Sequence, residues 1–341
     1  MTTGHFAPRT PATLDSVAAA AGVSKSTVSR VINGSSQVSP EVLVAVNAAI
    51  AELDYSPNRA ARSLANRQTM AIALVVPEES SRFFGDPYFS AIMDGIADGL
   101  EDSDYVLVLQ LAQPHGRSTK SQRYLLGGNV DGALVVSHHA NDEFLAHLDE
   151  SLPVVFGGRP LHPEEQRSFY VDVDNAAGAQ LGTDYLIALG RTRIASIAGP
   201  TDMPAGADRA VGFTRAMQAA GLDAGLVEHG DFTAASGARA MRDLLDRTPE
   251  LDAVFVASDL MATGAVSVLR ERGLSIPGDV AVMGFDDSPA ATSGDLLLTT
   301  VRQPSREMGA MMAHTLLALL RGESPERVNI MDTRIIVRAS A

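Results

Sequence analysis

Apolar residues recur along this chain in two rhythms. Through residues 13–54 they fall three and four apart, at Leu14, Val17, Val23, Val28, Val31, Ile32, Val42, Val46, Ala49, Ile50 and Leu53. That is the spacing of short amphipathic helices closing one small core. From Met70 onward, short continuous apolar runs alternate with helical segments. The runs are Ala71–Val76, Tyr105–Leu111, Ala133–Val136, Val154–Phe156, Ile194–Ala198, Ala253–Ala257 and Val280–Gly284. The helical segments include Phe89–Leu100, Ala176–Leu189, Arg209–Ala220, Ser236–Leu245 and Leu260–Arg270. This is the strand–helix alternation of parallel sheets covered on both faces. It runs too long for one such sheet. The expected fold is an N-terminal all-α head and an α/β core of two doubly wound parallel-sheet lobes. The chain should cross between the lobes near Val171–Asp174 and again near Val301–Gln303.

Local signals divide the head. Thr13 is placed to cap a helix over Leu14–Ala20, which Gly22 ends; Ser24 can cap a second over Lys25–Ile32, closed by Asn33-Gly34; Ser39-Pro40 opens a third. In the second helix Val28, Val31 and Ile32 turn inward, leaving Lys25, Ser26, Ser29 and Arg30 outward. A helix with a polar N-terminal end can enter the DNA major groove. Arg30 can then bond guanine O6/N7 or a phosphate, and Lys25 and Ser26 can reach base edges. An ordinary solvated helix face has the same spacing, and spacing alone leaves the two readings level.

The net charge of −14 opposes DNA binding until it is divided along the chain. Residues 1–67 hold six Lys/Arg and four Asp/Glu, net +2; the remainder holds 21 basic and 37 acidic residues, net −16. A mildly basic head on an acidic body points the head at phosphate. There is no cysteine, which excludes disulfides and Cys-ligated zinc and fits a reducing cytoplasm. The opening MTTGHFAPRTPATL lacks the apolar segment of a signal peptide, and no apolar run approaches the ~18–20 residues of a membrane helix.

The run ATLDSVAAAAGVSKSTVSRVINGSSQVSPEVLVAVNAAIAELDYSPNRAARSLA resembles, without gaps, the head and hinge of the LacI/GalR repressor family. The resemblance implies a helix-turn-helix domain over 1–57, a hinge helix and linker over 58–69, and an effector-binding, dimerising core over 70–341. Its N-lobe would span about 70–172 and 304–332, and its C-lobe about 173–303 and 333–341. It further implies that Lys25, Ser26 and Arg30 read bases and that Thr13, Ser24, Thr27, Ser29 and Asn33 lie near phosphates. The hinge Asn58–Ala65 is helix-compatible but too short to be stable alone. In the family, two hinge helices of a dimer pack in the minor groove. By resemblance Leu64 is the wedge that unstacks a base step, Ala61 permits close approach and Asn58 joins the DNA contacts.

The core is similar, more loosely, to periplasmic sugar-binding proteins. Ligands of open α/β sheets bind beyond the carboxyl ends of strands. Asp286 and Asp287 follow AVMGF, Ser258 and Asp259 follow AVFVA, and Arg209 follows RIASIAGP and its loop. A sugar needs paired donors and acceptors for vicinal hydroxyls and a flat apolar surface for its ring. Asp286 and Arg209 suit the first need; Phe232, Tyr88, Phe83 or Phe84 suit the second. By resemblance Arg209 and Asp286 match the family's recurrent effector contacts, and Ser258, Phe232 and Gln303 occupy pocket positions. The family often has Asn where Ser258 stands. An Asp after a strand is also a common helix cap, and Asp259 and Asp287 are read as caps. The segment 77–90, PEESSRFFGDPYFS, reads as a long aromatic loop that can serve as a stacking platform, core or dimer contact. With GGRP at 157–160 it looks like actinobacterial regulators of cello-oligosaccharide, β-glucoside or maltodextrin uptake.

The expectation is therefore a cytoplasmic homodimeric repressor that binds near-palindromic operator DNA and is released by a mono- or oligosaccharide. A corepressor or non-sugar ligand remains an alternative. A transport-type sugar-binding protein is the rival of another class, and the DNA head and missing export signal oppose it. An enzyme is not expected, since GxSxG, Walker and HExxH patterns are absent. Neither is a metal or cofactor: the eight His are scattered, and His138-His139 has no third ligand at metal spacing. The end Arg338–Ala341 carries no heptad tail, so a C-terminal tetramer bundle is not expected either.

Overall fold

The computed structural model describes residues 12–32, 38–55, 68–112, 119–145, 148–160 and 168–341. The chain divides into two compact units, Met1–Met70 and Ala71–Ala341.

The first unit contains helices α1 (Leu14–Ala21), α2 (Lys25–Ile32) and α3 (Pro40–Glu52). Thr13 and Ser16 form a reciprocal cap: the Thr13 hydroxyl accepts the Ser16 N–H at 3.2 Å, and Ser16 Oγ accepts the Thr13 N–H at 2.7 Å. Gly22 ends α1 at φ +66°, a left-handed conformation that suits glycine. Ser24 accepts the Thr27 N–H at 3.2 Å at the start of α2, and Ser39 caps α3, with Pro40 at its first position. Val17, Val28 and Val46, one from each helix, are fully buried and meet Tyr55 in one core. Burial of these few side chains holds the unit, because helices of eight residues are unstable alone.

The second unit has two six-stranded sheets. Sheet A has the order β11-β5-β4-β3-β1-β2 and sheet B the order β12-β10-β9-β8-β6-β7. Their strands are β1 (Ala71–Val76), β2 (Val106–Leu111), β3 (Gly132–Val136), β4 (Val154–Gly157), β5 (Phe169–Val173), β6 (Ile194–Ala198), β7 (Val227–His229), β8 (Ala253–Val256), β9 (Ala281–Asp286), β10 (Thr299–Arg302), β11 (Val328–Met331) and β12 (Arg334–Ile336). Pairing is parallel except where β12 runs antiparallel to β10. Alternate strand residues face opposite covers. In sheet A, Ile72, Leu74 and Val76 pack under α5 (Pro87–Leu100) and α11 (Ser305–Leu320), while Ala71, Ala73 and Val75 meet Leu125 of α6 (Thr119–Leu126) and Phe144. In sheet B, Phe255, Met283 and Phe285 pack on α7 (Asn175–Ala188) and α8 (Pro204–Ala219); Val254, Val256 and Val282 pack on α9 (Ala234–Arg247) and α10 (Asp259–Glu271). Two-sided burial explains why these strands read as continuous apolar runs. The backbones of α5 and α11 touch: a Cβ at Gly95 would lie 1.8 Å from the Arg306 carbonyl oxygen, and one at Gly309 2.2 Å from that of Ile92. Only glycine fits either place.

The chain passes from sheet A to sheet B after β5, back after β10, and across again between β11 and β12. The first two passages leave the ends of β5 and β10, beside the positions 171–174 and 301–303 expected for the crossings. Segment 77–90 differs from its reading as a loop. It is a one-and-a-half-turn helix α4 (Ser80–Gly85) followed by the start of α5, because Asp86 caps α5 through the Tyr88 N–H at 3.0 Å and Pro87 takes the first helical position. Arg209 lies inside α8, which begins at Pro204, five residues earlier than the pattern placed it. Among the described residues no helix is long and apolar enough to cross a membrane.

Candidate functional site

In the head unit, α2 presents its polar edge outward. Lys25, Ser26 and Arg30 are exposed, and Thr27 and Ser29 half-buried, while Val28 and Val31 anchor the helix from beneath. The hydroxyl of Ser24 lies 2.8 Å from both Ser26 Oγ and Thr27 Oγ1, so the first turn of α2 is a linked hydroxyl cluster. Lys25 Nζ is 2.5 Å from Asp15 of α1. That partner was not singled out from the sequence, since only the folded turn brings position 15 beside position 25. Thr13 is committed to its cap. Asn33, Asn58, Ala61 and Leu64, with the whole expected hinge helix, lie outside the described residues.

The core unit holds a cleft between the carboxyl ends of its two sheets. Such ends are natural ligand sites where strand order reverses, here at β1/β3 and at β6/β8. All six expected effector residues, Tyr88, Arg209, Phe232, Ser258, Asp286 and Gln303, line it. Arg209 is its centre. Only 4% exposed, it donates through Nε to Asn175 Oδ1 at 2.9 Å, through Nη1 to the Ala257 carbonyl at 2.6 Å and to Asp286 at 3.4 Å, and through Nη2 to Gln303 Oε1 at 3.3 Å. Gln303 Nε2 in turn donates to Asp286 Oδ1 at 2.9 Å. The guanidinium stacks 3.7 Å from the Phe285 ring centroid and 5.9 Å from that of Phe232, and the Arg82 guanidinium lies 5.3 Å from the Phe232 centroid. Phe232 is held at φ +64° and Asp286 at φ +111°, conformations that non-glycine residues seldom keep unless their surroundings fix them.

Burial raises the Asp286 carboxyl well above its ordinary pKa, against the pull of Arg209 and with help from Asp259 and Asp86. Burial likewise raises the Tyr88 phenol, reinforced by Asp172 and Asp286, so this hydroxyl stays neutral and able to donate. Asp172 is 6% exposed and accepts from the Arg159 N–H at 2.7 Å, the Val173 N–H at 2.8 Å and Asn175 Nδ2 at 3.0 Å. The cleft therefore offers paired donors and acceptors beside an aromatic face.

Two bridges join the cleft's walls. Arg159, after β4, donates through Nη2 to both Asp208 oxygens, at 3.0 and 2.9 Å. His139, after β3, lies 2.9 Å from Asp202 through Nδ1 and 3.1 Å from Glu78 through Nε2. Burial works against a charge on His139, but the two carboxylate bonds outweigh it and raise its pKa. Glu78 also accepts from Ser137 and pairs with Arg82, each at 2.6 Å.

Several sequence readings need correction. Ser258, not Asp259, caps α10, accepting the Met261 N–H at 3.2 Å. Asp259 is fully buried and accepts from Ser288 N–H at 2.8 Å and from the Thr300 hydroxyl at 2.7 Å; burial lifts its pKa to about 7. Asp287 is not a cap either and pairs with Arg338 at 2.6 Å. Of the other aromatic candidates, Phe83 is in the core and Phe84 is 76% exposed. Arg82, Asp86, His138, Arg159, Asp172 and Asn175 line the cleft without having been expected as effector contacts. The run DVDN at 172–175, polar residues closing an apolar strand, was the available signal for two of them. Among the described residues no three His, Cys, Asp or Glu side chains are grouped to hold a metal.

Comparison with known proteins matches both units. Residues 13–58 match the model described as bacterial regulatory proteins, lacI family, and residues 183–341 match a periplasmic binding protein-like domain. The chain is 47% identical over 332 residues to the HTH-type transcriptional regulator CelR of Thermobifida fusca, covering 96% of this chain and 98% of that protein. A solved CelR–cellobiose complex aligns at 45% identity with a TM-score of 0.77, covering 97% and 100% of the two chains. The lac repressor dimer bound to operator and the anti-inducer ONPF aligns at 27% identity with a TM-score of 0.86, covering 97% and 99%. With its head, its two-lobed core and near-complete alignment to such a relative, the chain belongs to the LacI family of bacterial regulatory proteins.

Proposed function

We propose that the protein is a sequence-specific transcriptional repressor, a cytoplasmic homodimer whose grip on near-palindromic operator DNA is released by a carbohydrate bound in the cleft. The observation that carries this reading is the Arg209–Asp286–Gln303–Asn175 network beside Phe232 in a chain that also carries an outward polar edge on α2. Interlocked donors and acceptors next to a ring suit a neutral polyol with one apolar face. The cellobiose bound to the CelR relative supports a β-linked glucose disaccharide as the first candidate. Arg209, Asp286 and Gln303 take hydroxyl pairs, Phe232 and Tyr88 lie against the sugar ring, and Ser258 adds a hydroxyl beside its capping role. On the head, Lys25, Ser26 and Arg30 read bases; Thr13, Ser24, Thr27, Ser29 and Asn33 approach phosphates; Asn58, Ala61 and Leu64 act in the hinge, with the domains at 1–57, 58–69 and 70–341.

The ligand changes operator affinity only through its preference for one lobe arrangement over another. A coupling of about 1–3 kcal/mol corresponds to a ~5–150-fold change. The test is fluorescence anisotropy of the full chain on DNA selected from a random pool, with and without cellobiose. The expected result is tight binding to a palindrome, weakened at least fivefold by the sugar. Failure to select any sequence overturns the DNA reading. Operator affinity unmoved by every sugar that binds the core overturns the release mechanism.

A further inference from the structure

One buried group in the cleft has no task in the network around Arg209. His138 follows β3, is 7% exposed and lines the cleft, its ring edge-on to Phe156 with centroids 5.5 Å apart. Its Nε2 is 3.1 Å from the Arg159 carbonyl oxygen. A carbonyl only accepts, so Nε2 carries a hydrogen. Burial pushes the imidazole down to about 4, despite the bond to that carbonyl. At neutral pH the ring therefore holds one proton, already placed, and Nδ1 is a bare acceptor. Nδ1 is buried and makes no hydrogen bond within the protein. A buried acceptor left in that state is costly, and a donor brought by a ligand removes the cost.

We propose that His138 reads the ligand: Nδ1 accepts a hydrogen bond from an uncharged hydroxyl of the bound carbohydrate and so selects for a free hydroxyl at that position. The assignment rests on the carbohydrate reading above. The tautomer settles the chemistry. A carboxylate, phosphate or ether oxygen at this point would set acceptor against acceptor. An ammonium group would meet Arg82 and Arg159 on the same wall. A neutral hydroxyl satisfies the ring and is tolerated by both cations. Gly158, at φ +107°, leaves the flank of the ring free of a side chain; even a Cβ there would come within 3.8 Å of His138 Cε1.

Calorimetric titration of the full chain with glucose, cellobiose and the set of monodeoxy cellobioses tests this in the wild type and in His138→Phe and His138→Asn. The wild type should bind one monodeoxy sugar roughly tenfold more weakly than cellobiose, the scale of one hydrogen bond to a buried group. His138→Phe should lose a similar factor for cellobiose and nothing further for that one sugar. His138→Asn, whose Oδ1 falls near the place of Nδ1, should recover most of the loss. Should the Phe variant fail to fold, His138→Gln replaces it: its amide can meet the Arg159 carbonyl but offers no acceptor at Nδ1, so it too should bind weakly. Wild-type affinity in the Phe or Gln variant, or a loss equal for every deoxy sugar, overturns the assignment. A wild type that binds none of these sugars overturns the carbohydrate reading, and the assignment with it.

Discussion

Replacing Asp208 by Asn tests whether the bridge to Arg159 sets effector affinity. Arg159 lines the cleft and can touch a ligand directly, whereas Asp208 does not line it, so the aspartate is the cleaner place to cut. The pair bonds at 2.9 and 3.0 Å, with side chains 34% and 29% exposed. At that exposure solvent screens much of the attraction, and about 1 kcal/mol is the appropriate scale. The residues stand on opposite walls, so the bridge exists only when the walls are together. A ligand that contacts both walls binds that arrangement, and its apparent Kd rises as the arrangement becomes scarcer. The loss of about 1 kcal/mol then weakens cellobiose binding about fivefold. Calorimetry at low and high salt reads it: the factor should shrink at 0.5 M salt, where exposed charges are screened. In a double-mutant cycle with Arg159→Met, the two losses should not add. A Kd unchanged at low salt, or a loss indifferent to salt, would refute the reasoning.

Four further outcomes follow from the geometry. Arg30→Ala should weaken binding to the selected operator by ~1–3 kcal/mol, or roughly 5–150-fold, while leaving cellobiose affinity unchanged, as anisotropy and calorimetry can establish. Arg209→Met should abolish measurable sugar binding and cost about 3–5 kcal/mol in denaturant unfolding, because Asp286 and Gln303 lose their buried partner. The raised pKa of His139 means that its stabilising contribution is full below about 6.5 and fades as pH rises above that value through the folded pKa; Tm should fall from pH 6 to 8.5, and in His139→Asn, where Glu78 and Asp202 face no imidazolium, it should fall less. Gly309→Ala should destabilise the core by at least ~1–3 kcal/mol by urea titration, since its methyl would enter the Ile92 carbonyl.

The sequence made the large features legible where burial is two-sided. Strands such as AIALVV and AVFV sit between helical layers and read as unbroken apolar runs. β5, β7, β10, β11 and β12 were not read as strands: β11 is an edge strand with Val328 and Ile330 exposed and carries no such run, and in the buried β5 and β10 Asp172 and Thr299-Thr300 interrupt the apolar pattern. Segment 77–90, read as a loop, was ambiguous in a physical sense: its Asp86-Pro87 pair serves a turn and a helix start equally well, and here the capped Tyr88 N–H decides. At Ser258-Asp259 the roles slipped by one residue. Both side chains can cap, and only the packing of Thr300 and Ser288 around Asp259 separates them. Arg82, Asp172 and Asn175 were missed because their places in the cleft depend on strands distant in the chain. For the head, the outward edge of α2 was readable from spacing, but the Asp15–Lys25 pair was not.

The passages between sheets place part of the cleft's chemistry on its pivot. Asp172 and Asn175 flank the first crossing, and Gln303 stands at the second. Residues near an axis travel little when two bodies rotate, whereas Arg82, on α4, and His138, after β3, stand on neither crossing. A sugar would thus be held first by a floor that hardly moves and measured afterwards by walls that do. Affinity and response are then separable quantities: substitutions on the axis should change how tightly a ligand is held and leave the response to it intact, whereas substitutions on the walls should change both the affinity and how much of that binding reaches the DNA.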